Sequence, residues 1–534
     1  MRNRLLKDAC RALALMTAVL LLFGCAPVSA EDTVHETKAL IDGILSYRLK
    51  AAGAADVQSW LDHHSAENAA GDVWTVLSLR VYDPSLDFSA YGSALEESVR
   101  DHAPSGASAR EKLALTLMAC GRKDSAFVQK TCNEAIGAQG IMSLIFGLHL
   151  LSNGQTSALY TKDELADTLM SMQLSDGGWA LRGDVGDVDV TAMTLQALAR
   201  CEGVSESLEK GLSFLSARQN DDGGYSGFGE PNAESTAQAI IALTALGVDP
   251  LADERFIKGG QSAVDALRGY RREDRSFSHT QGGASNATAT TQALMALSAL
   301  YSYQTGGRAF YDLSAVPQTS AGRTASLGWR AWACIALGAA AVIVCLILFA
   351  AGKRHYKNYL FVLGLCGVLC LLVCFVNIRS AEEYYGHTDE KGEIVGQATI
   401  TIRCDTLAGR AQSEYVPEDG VILPETALDI EAGETVYDLL VEAARVYKIQ
   451  MESEGTGGMV YVSGIGYLYE FDYGDLSGWM YRVNGETPSV GCAEYALSDD
   501  DCVEWLYTCD LGRDLDSAAD DRQAMRFIAA VAAA

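Results

Sequence analysis

Gln173-Leu174-Ser175-Asp176-Gly177-Gly178-Trp179, followed by Asp189-Val190-Thr191-Ala192 and then Gln196-Ala197-Leu198, is the stretch that decides the fold, because it recurs. The second copy reads Gln219-Asn220-Asp221-Asp222-Gly223-Gly224-Tyr225, Glu234-Ser235-Thr236-Ala237 and Ile241-Ala242-Leu243. A degenerate third reads Arg272-Glu273-Asp274-Arg275-Ser276-Phe277, Thr288-Ala289-Thr290-Thr291 and Met295-Ala296-Leu297. The aligned threonines Thr191, Thr236 and Thr290 stand about 45 and 54 residues apart, close to the period of helical-pair repeats. Each unit joins a Gly-Gly turn and an aromatic plug to a polar cap and a helix rich in alanine and leucine. Val73 to Leu79, Leu113 to Cys120 and Ile141 to Leu151 read as further helices without the loop. Such units close into a ring of paired helices.

Working outward, the chain starts with Arg2, Arg4, Lys7 and Arg11 ahead of an apolar stretch, Ala12 to Gly24, which reads as a secretory signal over residues 1–30. Two processing routes compete: lipidation at Cys25 after Leu22-Phe23-Gly24, or cleavage after Val28-Ser29-Ala30. Past the repeats, Ala331 to Ala351 and Tyr359 to Val376 are uncharged apolar runs flanking Gly352-Lys353-Arg354-His355-Tyr356-Lys357-Asn358. They predict a two-helix transmembrane hairpin, 329–351 and 359–378, around a basic cytoplasmic loop at 352–358. Both flanking domains would then lie extracytoplasmically on a cell-membrane protein, tethered by linkers at 306–328 and 379–394.

From Gly396 the pattern changes to short alternating strands, such as Ala398-Thr399-Ile400-Thr401-Ile402-Arg403, around an amphipathic helix at Thr435 to Tyr447. Trp479-Met480-Tyr481-Arg482-Val483 runs into Asn484-Gly485, a hairpin signal. The expected organisation is a multidomain membrane protein: an all-α (α/α) toroid over 37–305, the hairpin, a small α+β domain over 395–513 and a tail at 514–534. The net charge is -28, and after residue 380 there are about 31 acidic against about 9 basic side chains. Without basic patches, nucleic acid is not an expected partner. The exported cysteines show no paired CxxC spacing, so no metal site is expected; a Cys120–Cys132 disulfide fits an oxidising compartment.

The Q-x-x-D-G-G-W loops with their acid-x-T-A helix starts resemble prenyltransferase/squalene-cyclase repeats. That resemblance implies an α/α toroid whose inner helices begin at a ligand-bearing mouth. Asp187-Val188-Asp189-Val190 keeps one acid of a cyclase D-x-D-D but loses its partner; zinc ligands of the prenyltransferase kind are lacking, and so is C-G-E-Q. No catalytic residue is assigned, and an enzyme is the less favoured expectation. Gly464 to Gly474, Ser477-Gly478-Trp479-Met480-Tyr481, Asn484-Gly485 and Glu504-Trp505-Leu506-Tyr507 resemble the transcobalamin-type C-terminal (DUF4430-like) domain.

In the cobalamin carriers a toroid and such a domain close on a corrinoid from opposite sides. This resemblance implies a noncovalently bound corrinoid such as cobalamin as ligand, no covalent cofactor, and a transporter subunit as a further partner. Asp189, Glu234, Gln238 and Asn286 would meet the ligand at the mouth, with Trp179 and Tyr225 beside them. Tyr469, Tyr473, Trp479 and Tyr481 would cover its other face. Asp189 and Glu234 have a second reading, as helix caps. The alternatives in function are a surface protein-interaction module without a small ligand, and a terpenoid- or isoprenoid-acting toroid.

Overall fold

The computed structural model describes residues 30–318, 329–375 and 394–515, apart from interruptions at 65–68, 102, 105, 228, 354, 411–412, 414, 455–459, 475 and 489. The signal segment with Cys25 and the tail beyond 515 lie outside the described residues, as do 319–328 of the first linker and nearly all of the second.

The repeat explains itself in hydrogen bonds. Asp176, Asp222 and Asp274 each accept the backbone N–H two residues on, bending the chain into a tight turn. The next turn position is left-handed in all three: Gly177 (φ 90°), Gly223 (φ 85°) and Arg275 (φ 77°). Gln173 and Gln219 each donate from one amide to two carbonyls: Gly177 and Ser207, and Gly223 and Phe256. The aromatic that follows is fully buried in each repeat. Its backbone N–H bonds the aligned threonine hydroxyl, at 2.8 Å for Trp179 to Thr191, 3.1 Å for Tyr225 to Thr236 and 2.9 Å for Phe277 to Thr290. The threonines are therefore the pins that fix each loop to the start of its inner helix.

In chain order the helices are α1 (Ala30–Ala52), α2 (Val57–Asp62), α3 (Val73–Tyr82), α4 (Ser89–Asp101), α5 (Ala107–Ala119), α6 (Ala126–Glu134), α7 (Gly140–Ser152), α8 (Lys162–Ser171), α9 (Val188–Leu198), α10 (Ser205–Arg218), α11 (Ala233–Ala245), α12 (Ala263–Arg268) and α13 (Ala287–Gln304). Helices α3, α5, α7, α9, α11 and α13 pack each on the next, and α13 closes back on α3. The others form an outer layer: α6 lies on α5, α8 on α7, α10 on α9, α12 on α11 and α1 on α13. The inner helices run in one direction. Ser108 N–H bonds Gln139 Oε1 where α5 and α7 begin, and Arg80 Nε bonds the Ala119 carbonyl where α3 and α5 end.

The end where the inner helices finish is sealed by the segment after α13. Asn153 Nδ2 donates to the Tyr311 carbonyl and Asn153 Oδ1 accepts from Leu313 N–H, both at 2.8 Å. Tyr311 stacks on buried His149 at 4.1 Å, and Arg200 pairs with Asp312 at 3.0 Å. Burial beside Arg200 pushes His149 down to about 3, so it is neutral. Cys132 is a free thiol inside the core, so the expected Cys120–Cys132 bridge is not formed. Burial raises the Cys132 thiol to about 12, which also suits it to a packing role.

The two apolar runs form helices α14 (Trp329–Ala350) and α15 (Tyr356–Phe375), packed on one another around a turn at Gly352 (φ 73°). The expected transmembrane hairpin is corrected here: among the described residues, no helix is long and apolar enough to cross a membrane. The fold class is thus an α/α toroid, a two-helix hairpin and an α+β domain, without the membrane-spanning part expected of it.

The C-terminal domain is a four-stranded sheet ordered Val421–Glu431, Ile394–Arg403, Cys502–Thr508, Gly478–Val483, with helix α16 (Val436–Tyr447) against it. The central pair, Ile394–Arg403 with Cys502–Thr508, is parallel, and the outer pairings are antiparallel. A smaller sheet joins Met451–Glu454, Tyr461–Ile465 and Leu468–Tyr469. Asn484 (φ 54°) and Gly485 (φ 83°) form the expected turn, closed by a single Val483–Glu486 pair, and the strand paired along Gly478–Val483 is Cys502–Thr508.

Candidate ligand site at the toroid mouth

The open end is where the inner helices begin, and its chemistry follows from which residue caps each one. Asp187 accepts from Val190 N–H at 3.0 Å, Asn232 from Ser235 at 2.8 Å and Asn286 from Ala289 at 2.8 Å. The capping position is thus 187, 232 and 286, and Asn286 spends its carbonyl there. Asp189 and Glu234 stand two residues further on, in the first turn, with their carboxyls free for other work.

Asp189 Oδ2 accepts from the Ser235 hydroxyl at 3.1 Å, while Oδ1 is buried without a hydrogen-bond partner. Burial, then the neighbouring charges of Asp187 and Glu234, push its carboxyl up to about 7 against the pull of Ser235. Glu234 Oε2 lies 2.9 Å from His279 Nδ1, and that bond raises the imidazole above its ordinary range. His279 is therefore the counter-ion of Glu234.

Below this layer runs a ladder of amides, buried at Gln196 and Gln238 and half-buried at Gln292. Gln196 Nε2 donates to Gln238 Oε1 at 2.9 Å, and Gln238 Nε2 donates to Gln292 Oε1 at 2.6 Å, linking α9, α11 and α13. Gln196 Oε1 is left buried without a partner. Deeper still, Trp74 faces Phe146 and Tyr311 at ring distances of 6.0 and 6.3 Å. Gln238 and Gln292 share a register, two residues past Thr236 and Thr290, and that signal would have found Gln292. Gln196 has no counterpart at its repeat position and could not be found that way.

The C-terminal domain is docked on this mouth. Glu494 Oε1 accepts from Ala287 N–H at 2.9 Å, at the start of α13. Asp510 pairs with Arg182 at 3.1 Å, in the loop before α9. Glu470 lies against Gly106 at the start of α5, where an added Cβ would come within 3.1 Å of Oε1, and Lys112 acts on its charge. An acidic domain thus sits where helix N-termini converge, the end of each dipole that attracts negative charge.

The aromatics expected at the site divide. Trp179 and Tyr225 are core plugs, with the Trp179 indole N–H on the Leu169 carbonyl at 2.6 Å. Trp479 is likewise core, its indole on the Leu468 carbonyl. Tyr469 and Tyr481 are half-buried: the Tyr469 hydroxyl accepts from Gln450, and the Tyr481 hydroxyl donates to the Val490 carbonyl. Tyr473 is the exposed member of the set.

Residues 433–508 match the family described as Domain of unknown function (DUF4430). Terpentedienyl-diphosphate synthase of Kitasatospora griseola is 31% identical over 120 residues, 22% of this chain and 23% of that protein, so the chain matches less than a quarter of that relative's length. Among solved structures, haptocorrin in complex with Cbi is similar over 91% of this chain and 100% of its own, at 14% identity and a TM-score of 0.47. ent-Copalyl diphosphate synthase from Streptomyces platensis is similar over 45% of this chain and 50% of its own, at 18% identity and a TM-score of 0.33. The chain thus has haptocorrin and type II terpene cyclases among its structural neighbours, and a DUF4430 match at its C-terminal end.

Proposed function

We propose that this chain captures a corrinoid such as cobalamin between the toroid mouth and the docked C-terminal domain, as a binding protein rather than an enzyme. One observation carries the reading: Asp189 Oδ1 and Gln196 Oε1 are buried acceptors without donors, at the mouth and in the amide ladder below it. Each costs about 1–3 kcal/mol while unmet. A ligand edged with primary amides supplies the N–H groups they lack, and a bare hydrocarbon does not. Trp74 and Met193, both half-buried on inner helices, would offer apolar contact to the ring itself. Capture would take place outside the cytoplasm, on the strength of the basic and apolar start of the chain. Visible-absorption and calorimetric titration of the whole protein with cyano- and hydroxocobalamin is expected to give submicromolar binding. Absence of both heat and spectral change with either compound would overturn the reading.

A second reading, an acid catalyst acting on an isoprenoid, is favoured by one feature: the Asp189 carboxyl, raised to about 7, retains its proton near neutrality. Incubation with a linear prenyl diphosphate separates the two. A cyclised product that disappears in Asp189→Asn would install the enzyme in place of the carrier.

A further inference from the structure

We infer that closure of the C-terminal domain over the toroid takes up protons, so that the lid is held in acid and loosens as the solution becomes alkaline. The inference concerns the same mouth but needs no ligand.

The lid is held by three carboxyls whose surroundings differ. Asp510 meets a largely exposed Arg182 and can stay ionised at little cost. Glu494 is placed otherwise. Its Oε1 accepts from Ala287 N–H, and its Oε2 is buried with no hydrogen-bond partner. From its own domain it meets the Gly491 backbone and the Tyr481 phenol, neither of them cationic; from the toroid it meets the backbone of α13. A buried carboxylate oxygen with no donor is costly, and protonation removes that cost.

Glu470 has the Tyr461 hydroxyl at 2.6 Å, Glu452 as a like charge and Lys112 of the toroid as a single nearby cation. Burial outweighs Lys112 and Tyr461, so its carboxyl is raised, as is that of Glu494. The charges acting on Asp189 are toroid groups, Asp187 and Glu234, so its titration belongs to the toroid rather than to the lid.

The sign follows from linkage. Undocked and solvated, both glutamates lose their protons in the ordinary carboxylate range; docked, they lose them at higher pH. Docking therefore binds protons. Its full strength is present below the solvated range and is lost as pH rises through the raised one.

The test places a fluorophore pair on ketone-bearing residues at Leu159 and Tyr447, both exposed, which spares the native cysteines. Energy transfer is read without ligand at about pH 5.5, near the ordinary carboxylate range, and at about pH 8.5, well above it. The closed, high-transfer population is expected to be at least about threefold larger in acid. The Glu470→Gln/Glu494→Gln double variant, which keeps Ala287 N–H bonded while leaving both side chains uncharged at every pH, is expected to stay closed at both values. Transfer that does not change with pH in the wild type overturns the inference, and so does a double variant that keeps the wild-type response. Since no corrinoid is present, either failure leaves the capture reading to its own titration.

Discussion

Gly223→Ala is expected to lower the melting temperature of the toroid by roughly 6–12 °C, from about 3 kcal/mol spread over a large domain. Gly223 sits at φ 85°, where a side chain already costs about 1 kcal/mol. More important, its added Cβ would lie 2.5 Å from the Ser262 carbonyl oxygen and 2.8 Å from that of Gln261. These are backbone atoms that cannot rotate aside, and Ser262 caps α12, so the whole outer helix would have to move. Two controls separate conformation from collision. Gly53 has φ 65° with nothing within 4 Å, so Gly53→Ala should cost the conformational part alone, about 1 kcal/mol. Arg275 occupies the same turn position in the third repeat at φ 77°, and Arg275→Gly should return a similar amount. Thermal melts followed by circular dichroism decide it: equal losses for Gly223→Ala and Gly53→Ala would refute the collision.

That turn also shows what the sequence could tell. The Gly-Gly-aromatic loop, the aligned threonine and the alanine-rich helix are local features with local causes, so a repeat read by eye already contains the ring. The third copy, with Arg275 and Ser276 in place of both glycines, was still recognisable because Asp274, Phe277 and Thr290 make the same hydrogen bonds. The capping register was harder. Asp187, Asn232 and Asn286 align only once the cap is known to lie four residues before each threonine, and without that Asp189 and Glu234 look like the caps themselves. The amide ladder and the docked lid join residues far apart in the chain, Gln196 to Gln238 and Arg182 to Asp510, and no periodicity reports such contacts. The apolar runs failed in the opposite way: their letters announce hydrophobicity, and that alone does not make a membrane span.

Asp189→Asn is expected to bind the corrinoid about as well as the wild type at about pH 5.5, and roughly 10- to 100-fold more weakly at about pH 8.5. Below about 7 the wild-type carboxyl carries a proton, and a neutral acid and an amide offer a ligand similar partners. Above that, the wild type presents a carboxylate whose Oδ1 has no other donor, and a ligand N–H would meet it in a charge-assisted bond. Asparagine cannot become charged, so the ratio of the two affinities widens with pH; taking that ratio at each pH also cancels any effect of the lid, which both proteins share.

Stability should move the other way. A carboxyl raised from 3.8 to about 7 on folding contributes its full stability below about pH 4 and loses it progressively as pH climbs towards 7, because the buried charge must then be carried. Asp189→Asn removes that slope, so the variant is expected to be the more stable protein at about pH 8.5 and the weaker binder there. A residue kept only to cap its helix would show the reverse, losing stability and leaving affinity untouched, and Asp187 already holds that position. Calorimetric titrations and melts of both proteins at the two pH values distinguish these outcomes. Affinities that stay equal at high pH would remove Asp189 from the site.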